Sequence, residues 1–232
     1  MKNKPFIGIA GNIGVGKTTF TKMVSEKMDL IPYYESVDDN PYLSDFYSNM
    51  DRWSFNLQIY FLQHRFSHHI EIVNDNKGVI QDRTIYEDVS IFAYNLYEMK
   101  IISSRDWNTY IALFNNMTQF LKKPDLIIYL KASTDTLISR IKKRNRDFEK
   151  NIDPEYLHQL NTSYNTWVKN EKDIDEAYLH RLNIYYKNHK KWFSRIGNFN
   201  ILEIDTNNFN IFKDSDKLNK IYDDIKNKLD KL

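Results

Sequence analysis

Gly11-Asn12-Ile13-Gly14-Val15-Gly16-Lys17-Thr18 is the stretch of this chain on which the fold turns. It matches G-x-x-x-x-G-K-[ST], a loop whose glycines let successive backbone N–H groups converge on phosphate oxygens. Four of the six glycines, Gly8, Gly11, Gly14 and Gly16, fall within nine residues, so glycine is concentrated where the backbone must curl. The flanks fit the motif. Phe6 to Ala10 is an apolar run suited to a buried strand, and from Lys17 onward Phe20, Met23, Val24 and Met28 recur at helical spacing. The helix N-terminus adds its positive dipole end to the cradle. Such a loop places Lys17 on the β- and γ-phosphates of a nucleoside triphosphate and the Thr18 hydroxyl on Mg²⁺, with Thr19 beside it. Kinases, GTPases and ATP-driven machines all use this cradle, so it names no reaction by itself.

Working outward, short apolar runs alternate with longer helical patterns. Strands are predicted at Ile31–Glu35, Val79–Asp82, Leu126–Leu130 and Ile201–Ile204. Helices are predicted at Asp51–Asn74, Ile85–Tyr97, Ser104–Leu121, Thr134–Asn145, Pro154–Glu171, Asp175–Trp192 and Asp216–Leu229. In the longest of these, Phe55, Ile59, Leu62, Phe66, Ile70 and Val73 form an apolar stripe expected to face the core. Short strands separated by helices predict an α/β fold, one domain over residues 1–232 with a five-stranded, mostly parallel sheet covered by helices on both faces. Ligands of such sheets bind beyond the C-terminal strand ends, which points to Gly11, Glu35, Asp82 and the segment after Leu130.

Bulk properties narrow the classes. Hydrophobic residues make up 41% and charged residues 28%, an ordinary globular balance, and the formal charge of +2 is too small for a groove-sized nucleic-acid surface. The absence of cysteine excludes thiolate metal sites and a cysteine nucleophile. No run approaches the ~20 apolar residues of a membrane span, and no signal segment opens the chain, so a cytoplasmic enzyme without membrane or nucleic-acid partners is expected.

The strand Val79-Ile80-Gln81-Asp82 ends in a carboxylate where P-loop enzymes hold Mg²⁺, making Thr18 and Asp82 the candidate metal ligands. Arg83 follows and can offset charge on a transferring phosphoryl group. Thr84 and Glu87 have capping-box spacing for the next helix.

Three segments taken together, Gly11 to Thr18, Trp53 to Tyr60 (WSFNLQIY) and Asp82 to Asp88 (DRTIYED), resemble the signature blocks of the deoxynucleoside kinase family, and Asn40-Pro41-Tyr42-Leu43 is similar to its bacterial deoxyadenosine and deoxyguanosine kinases. The resemblance runs from the first strand to the last helix. It implies a P-loop kinase with an arginine-rich lid at about 140–150, ATP as donor, Mg²⁺, a homodimer and feedback inhibition by a deoxynucleoside triphosphate.

Residue by residue, the resemblance makes Glu35 the base for the 5′-hydroxyl, although Ser36 stands where the family usually has proline. Asp82 remains open as the proton acceptor. Gln58, Phe61 and Arg65 share one face of the long helix, at i, i+3 and i+7. The family pattern makes Gln58 the base-reading amide, Arg65 with Asp88 the pair that recognises purines or cytosine, and Phe92 the ring that stacks on the base. Tyr47 and Glu149 match the groups on the sugar 3′-hydroxyl, and Arg140, Arg144 and Arg146 the lid arginines over ATP. The expected reaction is 5′-phosphorylation of a purine deoxynucleoside, deoxyadenosine first. Deoxyguanosine or deoxycytidine, a nucleoside monophosphate kinase, and a P-loop hydrolase or switch are the alternatives.

Overall fold

A computed structural model describes residues 4–35, 37, 39–150, 152–172, 199–209 and 214–232. Five strands, β1 (Phe6–Gly11), β2 (Ile31–Tyr33), β3 (Val79–Asp82), β4 (Leu126–Lys131) and β5 (Ile201–Asp205), form one sheet in the order β2-β3-β1-β4-β5. All four pairings are parallel, so the predicted mostly parallel sheet is parallel throughout. The helices are α1 (Lys17–Met28), α2 (Leu43–Ser48), α3 (Met50–Asn74), α4 (Ile85–Glu87), α5 (Tyr94–Glu98), α6 (Ser104–Thr118), α7 (Thr134–Arg144), α8 (Pro154–Lys172) and α9 (Ser215–Asp230). The predicted helix over Asp175–Trp192 lies outside the described residues.

Both sheet faces are buried, as a parallel sheet requires. Leu126, Ile128 and Leu130 of β4 pack with Ile7, Ile9 and Ile80 against α1, α7 and α9, through Phe20, Val24, Leu137 and Ile225. The alternate residues Ile127 and Tyr129 face the larger core built by α3, α6 and α8, with Leu62, Phe114, Leu160 and Tyr164. This period-two division is what the apolar runs encode.

Two departures from the expected pattern shape the site. In α3 the predicted stripe is only partly the buried face. Of its residues Leu62 is buried, Phe55, Ile59 and Phe66 are half-buried against the core, and Ile70 and Val73 are exposed, while the most buried face also carries Ser54, Leu57, Gln58, Arg65, His69 and Ile72. The inward face borders a polar cavity, so it carries polar groups that a search for apolar periodicity passes over. Between α4 and α5, residues Asp88–Ala93 form a π-helical turn inside an otherwise continuous helix. Its i→i+5 bonding widens the turn, and Asp88 and Phe92 of this segment both line the cavity. Asn95 supports the widened segment by donating to the Ile91 carbonyl at 2.6 Å. The short helix α2, which no strong periodicity marks, caps the far end of the same cavity with Leu43 and Phe46.

Candidate active site

The phosphate loop has the backbone its glycines permit. Gly14 and Gly16 adopt φ of +83° and +102°, and a Cβ on Gly14 would lie 2.7 Å from Ile141 of α7, so only glycine fits there. Lys17 is buried and donates to the Gly11 and Asn12 carbonyls at 3.0 and 3.1 Å. Burial, with Arg83 adding to it, pushes the Lys17 ammonium down to about 8 against the pull of Asp82, Glu87 and Glu35. The side chain of Asn12 bonds the Leu157 carbonyl and Asn161, fastening the loop to α8.

At the end of β3, Thr18 donates to Asp82 Oδ2 at 2.6 Å, and Asp82 Oδ1 is buried with no hydrogen-bond partner among the described residues. Burial raises the Asp82 carboxyl despite Lys17. A hydroxyl beside a carboxylate with one unpaired oxygen is a hard-oxygen donor set that fits Mg²⁺. The surrounding charges agree. Lys17, Arg65 and Arg83 face four carboxyl groups, Glu35, Asp82, Glu87 and Asp88.

Arg83 occupies the left-handed region at φ +69°, which costs a non-glycine residue ~1 kcal/mol or more. Its N–H donates to the Ile9 carbonyl at 2.9 Å and its own carbonyl accepts from Arg65 Nη1 at 2.9 Å, which holds the turn. The guanidinium lies over the Phe92 ring at 4.2 Å and approaches Glu35 to 3.5 Å.

Arg65 is the hub of the acceptor side. It donates through Nε to Asp88 and through Nη2 to Glu35 Oε1 at 2.5 Å. Burial alone would raise Glu35, but Arg83, Arg65 and Lys17 hold its carboxyl well below the usual range. In Asp88 burial prevails over the same two arginines and pushes the carboxyl up to about 7. Glu35 sits two residues past the end of β2, which is shorter than predicted, and its side chain is 16% exposed.

Of these groups Lys17, Thr18, Glu35, Arg83 and Asp88 line one cavity of about 220 Å³, while Asp82 and Arg65 lie behind its wall, bonded to Thr18 and to Glu35 and Asp88. Lys17, Thr18 and Thr19 form one end, Glu35 and Arg83 the middle, and Gln58, Asp88, Phe92 and Phe61 the other end. Gln58 Oε1 is buried without a partner among the described residues, an amide oxygen left for a ligand. Tyr47 lies at the rim, stacked on Phe148 at 6.3 Å, its hydroxyl held far above the ordinary tyrosine value by burial and therefore neutral. Glu149 is bound in two-pronged fashion by Arg144, at 2.5 and 3.0 Å, with Arg146 3.8 Å away.

Arg140 lies outside this cavity; it donates to the Val15 carbonyl at 3.1 Å and to Thr206 O at 2.5 Å, joining the phosphate loop to the segment after β5. One expectation is corrected: Thr84 and Glu87 do not form a capping box. Thr84 Oγ1 is buried without a partner among the described residues, and the Glu87 carboxylate turns to Gly11, Arg83 and Tyr164, where a guanidinium and two further donors offer more than one helix-end amide. Glu87, Tyr164 and Asn161 are the site residues that sequence reasoning missed. The only trace of the last two is a pair of polar groups on the otherwise apolar inner face of α8.

A parallel sheet, a phosphate loop at the end of its central strand and an acceptor cavity alongside define a P-loop kinase fold. Residues 7–172 match the family model for deoxynucleoside kinase, and the chain belongs to that family. It is 45% identical over 163 residues to a deoxyadenosine kinase of Dictyostelium discoideum, a match covering 70% of this chain and 66% of that one, so it spans about two thirds of that relative. It is 40% identical over 164 residues to a deoxyadenosine/deoxycytidine kinase of Bacillus subtilis, covering 70% and 76% of the two chains. A Bacillus subtilis deoxyguanosine kinase is 41% identical over 174 residues, covering 73% and 81%. Among solved structures, the deoxyadenosine kinase of M. mycoides with the products dCMP and dCDP superposes with a TM-score of 0.72 at 30% identity, covering 98% of this chain and 100% of that one.

Proposed function

We propose that this chain transfers the γ-phosphoryl group of ATP to the 5′-hydroxyl of a purine deoxynucleoside, deoxyadenosine first, giving the monophosphate and ADP. The observation that carries this is the single cavity in which Lys17 and Thr18 meet Glu35 and Arg83, and then Gln58 and Asp88. Phosphoryl transfer asks a protein mainly for alignment and for charge placed where charge develops. The N–H groups of the loop and Lys17 hold the donor phosphates. Glu35, already ionised, accepts the hydroxyl proton, and Arg83 offsets charge on the transferring group. Thr18 and Asp82 hold Mg²⁺, which when bound neutralises the donor phosphate oxygens. Arg144 and Arg146, which line the cavity and bind Glu149 here, and Arg140, on the phosphate-loop carbonyl of Val15, serve as the lid arginines over ATP.

At the far end, Gln58 offers a donor and an acceptor, Arg65 donors only, and Asp88 a carboxyl that serves in either role near neutrality. That set supports a base carrying an amino group beside an acceptor nitrogen, such as adenine. Tyr47 and Glu149 take the sugar 3′-hydroxyl. Relatives named for deoxyadenosine, deoxyguanosine and deoxycytidine frame the alternatives, and the solved M. mycoides enzyme with dATP or dCTP bound supports inhibition by a triphosphate. A homodimer is what the family resemblance implies, and Ile70 and Val73, exposed on α3 beside Glu71 and Asn74, are apolar residues it would cover.

The test is ATP consumption with and without an added deoxynucleoside, with the product identified by phosphorus NMR. Consumption that depends on the acceptor and yields a 5′-monophosphate bears the proposal out. Equal consumption without acceptor defeats it.

A further inference from the structure

Glu87 is the residue of this cluster to which the proposed reaction assigns no role. It is completely buried, at the first turn after the Arg83 bend, and its Oε1 is the meeting point of three groups. The Gly11 N–H donates to it at 3.1 Å, Arg83 Nη1 donates at 2.9 Å, and the Tyr164 hydroxyl is in hydrogen-bond contact. Tyr164 has one proton and two acceptors within reach, Glu87 and the Gly11 carbonyl at 2.9 Å. The proton goes to the carboxylate, the stronger acceptor, because the carbonyl is already served by Lys17 at 3.0 Å and Arg83 Nη2 at 3.3 Å. Arg83 Nη1 in turn donates to the Tyr164 oxygen at 3.0 Å.

We infer that Glu87 is a positioning residue for phosphoryl transfer: one carboxylate oxygen fixes the Arg83 guanidinium to the first amide of the phosphate loop, with Tyr164 of α8 closing the ring. The inference rests on the proposed role of Arg83.

Its geometry argues against a purely architectural role. Glu87 Oε2 is buried with no partner among the described residues, so the carboxylate is poorly satisfied as a packing element. A cap on the helix start at Thr84, the ordinary use of a carboxylate at this spacing, is not made. What the carboxylate does accomplish is directional. With Nη1 on Glu87 and Tyr164, Nη2 on the Gly11 carbonyl and the guanidinium plane over Phe92, Arg83 has little freedom to rotate. Its Nε is left toward Glu35, 3.5 Å away. With Glu87 neutral, Glu35 is the remaining carboxylate within reach of Arg83, and the guanidinium swings from the loop toward the hydroxyl-activating group.

The experiment is a double-mutant cycle of Glu87→Gln with Arg83→Lys, reading kcat and both KM values with ATP and the best deoxynucleoside. The fold is checked by near-UV circular dichroism and ADP affinity. Glu87→Gln alone lowers kcat by roughly 10–100-fold and moves each KM by less than about threefold, the pattern of a lost outer contact to a reacting group. In the Arg83→Lys background the same substitution costs less than about twofold, because the group it positions is gone. If Glu87→Gln does not fold, Tyr164→Phe takes its place in the cycle, with a several-fold kcat loss that likewise vanishes beside Lys at position 83. An equal loss in both backgrounds, or a change in KM with kcat intact, overturns the inference. If Arg83→Lys alone leaves kcat intact, the proposed role of Arg83 falls, a result distinguishable from the others.

Discussion

Arg65 and Glu35 are joined at 2.5 Å, Nη2 to Oε1, by the same guanidinium that donates through Nε to Asp88. A group placed to read the base is thus bonded to the carboxylate placed to accept the sugar proton. The two ends of the acceptor site share one cation, and its buried position makes that sharing strong, since little water screens it. A base that draws Arg65 toward itself loosens its hold on Glu35.

Glu35→Gln keeps the shape and most hydrogen bonds but removes the proton acceptor. The expected result is a fall in kcat of about 100-fold, within the range for general bases, with the ATP KM little changed. Single-turnover kinetics separate this from slowed product release. A near-normal kcat would transfer the role to Asp82.

The base end is expected to respond to pH. Glu35 is held ionised, while Asp88, raised by burial and flanked by Arg65, Arg83, Glu35 and Glu87, titrates near 7. Below that pH it donates, which suits an acceptor such as the guanine O6. Above it, it accepts, which suits the adenine amino group. The ratio of kcat/KM for deoxyadenosine over deoxyguanosine therefore rises as pH goes from 6 to 8, and Asp88→Asn flattens the rise. Because a carboxyl with a raised pKa contributes its stability below its unfolded value and loses it as pH climbs through 7, Asp88→Asn is also relatively more stable at pH 8 than at pH 5.

Much of this was legible in the chain because it is local. The phosphate loop is contiguous, the strands are apolar runs, and Gln58, Phe61 and Arg65 fall on one helix face by spacing alone. What was not legible depends on long-range geometry. Nothing in Asp-Val-Ser-Ile-Phe-Ala (88–93) marks a π turn rather than an α turn, since the widening is supported by Asn95 and by packing on α8. The spacing of Thr84 and Glu87 suggested a cap, but Tyr164, 77 residues on, offered Glu87 a better arrangement. The stripe on α3 met the core through Phe55, Ile59, Leu62 and Phe66 but missed the buried Gln58 and Arg65, because hydropathy cannot tell a core from a polar cavity wall. Arg140 reaches the carbonyls of Val15 and Thr206, 125 and 66 residues away in the chain, contacts that no spacing records.

Lys17 gives a second pH signature, at the donor end. In the free enzyme its ammonium is lowered to about 8, and bound phosphates favour the charged form. ATP affinity measured without acceptor is therefore level up to pH 8. Above that it weakens, approaching tenfold per unit, because the enzyme must take up a proton on binding. Calorimetry in buffers of different ionisation enthalpy detects that uptake at pH 8.5. Affinity that stays level to pH 9.5 would show that Lys17 is fully charged before ATP arrives.

Thr18 and Asp82 are expected to act as a unit on Mg²⁺. Asp82→Asn leaves the hydrogen bond to Thr18 but removes the charge, so kcat at saturating ATP falls by on the order of 100-fold and the Mg²⁺ needed for half-maximal rate rises. Thr18→Ser keeps the hydroxyl and retains most activity. A Mg²⁺ titration of both variants checks the pair.

The central claim, that the acceptor is a deoxynucleoside read by Gln58, Arg65 and Asp88, is tested most directly by kcat/KM for the four deoxynucleosides and four ribonucleosides with ATP and Mg²⁺. Deoxyadenosine should lead and thymidine should trail by at least about tenfold, because thymine has no amino group for Asp88. Each deoxynucleoside should exceed its ribo counterpart. Thymidine as the best acceptor, or no acceptor at all that raises ATP consumption, would contradict the account.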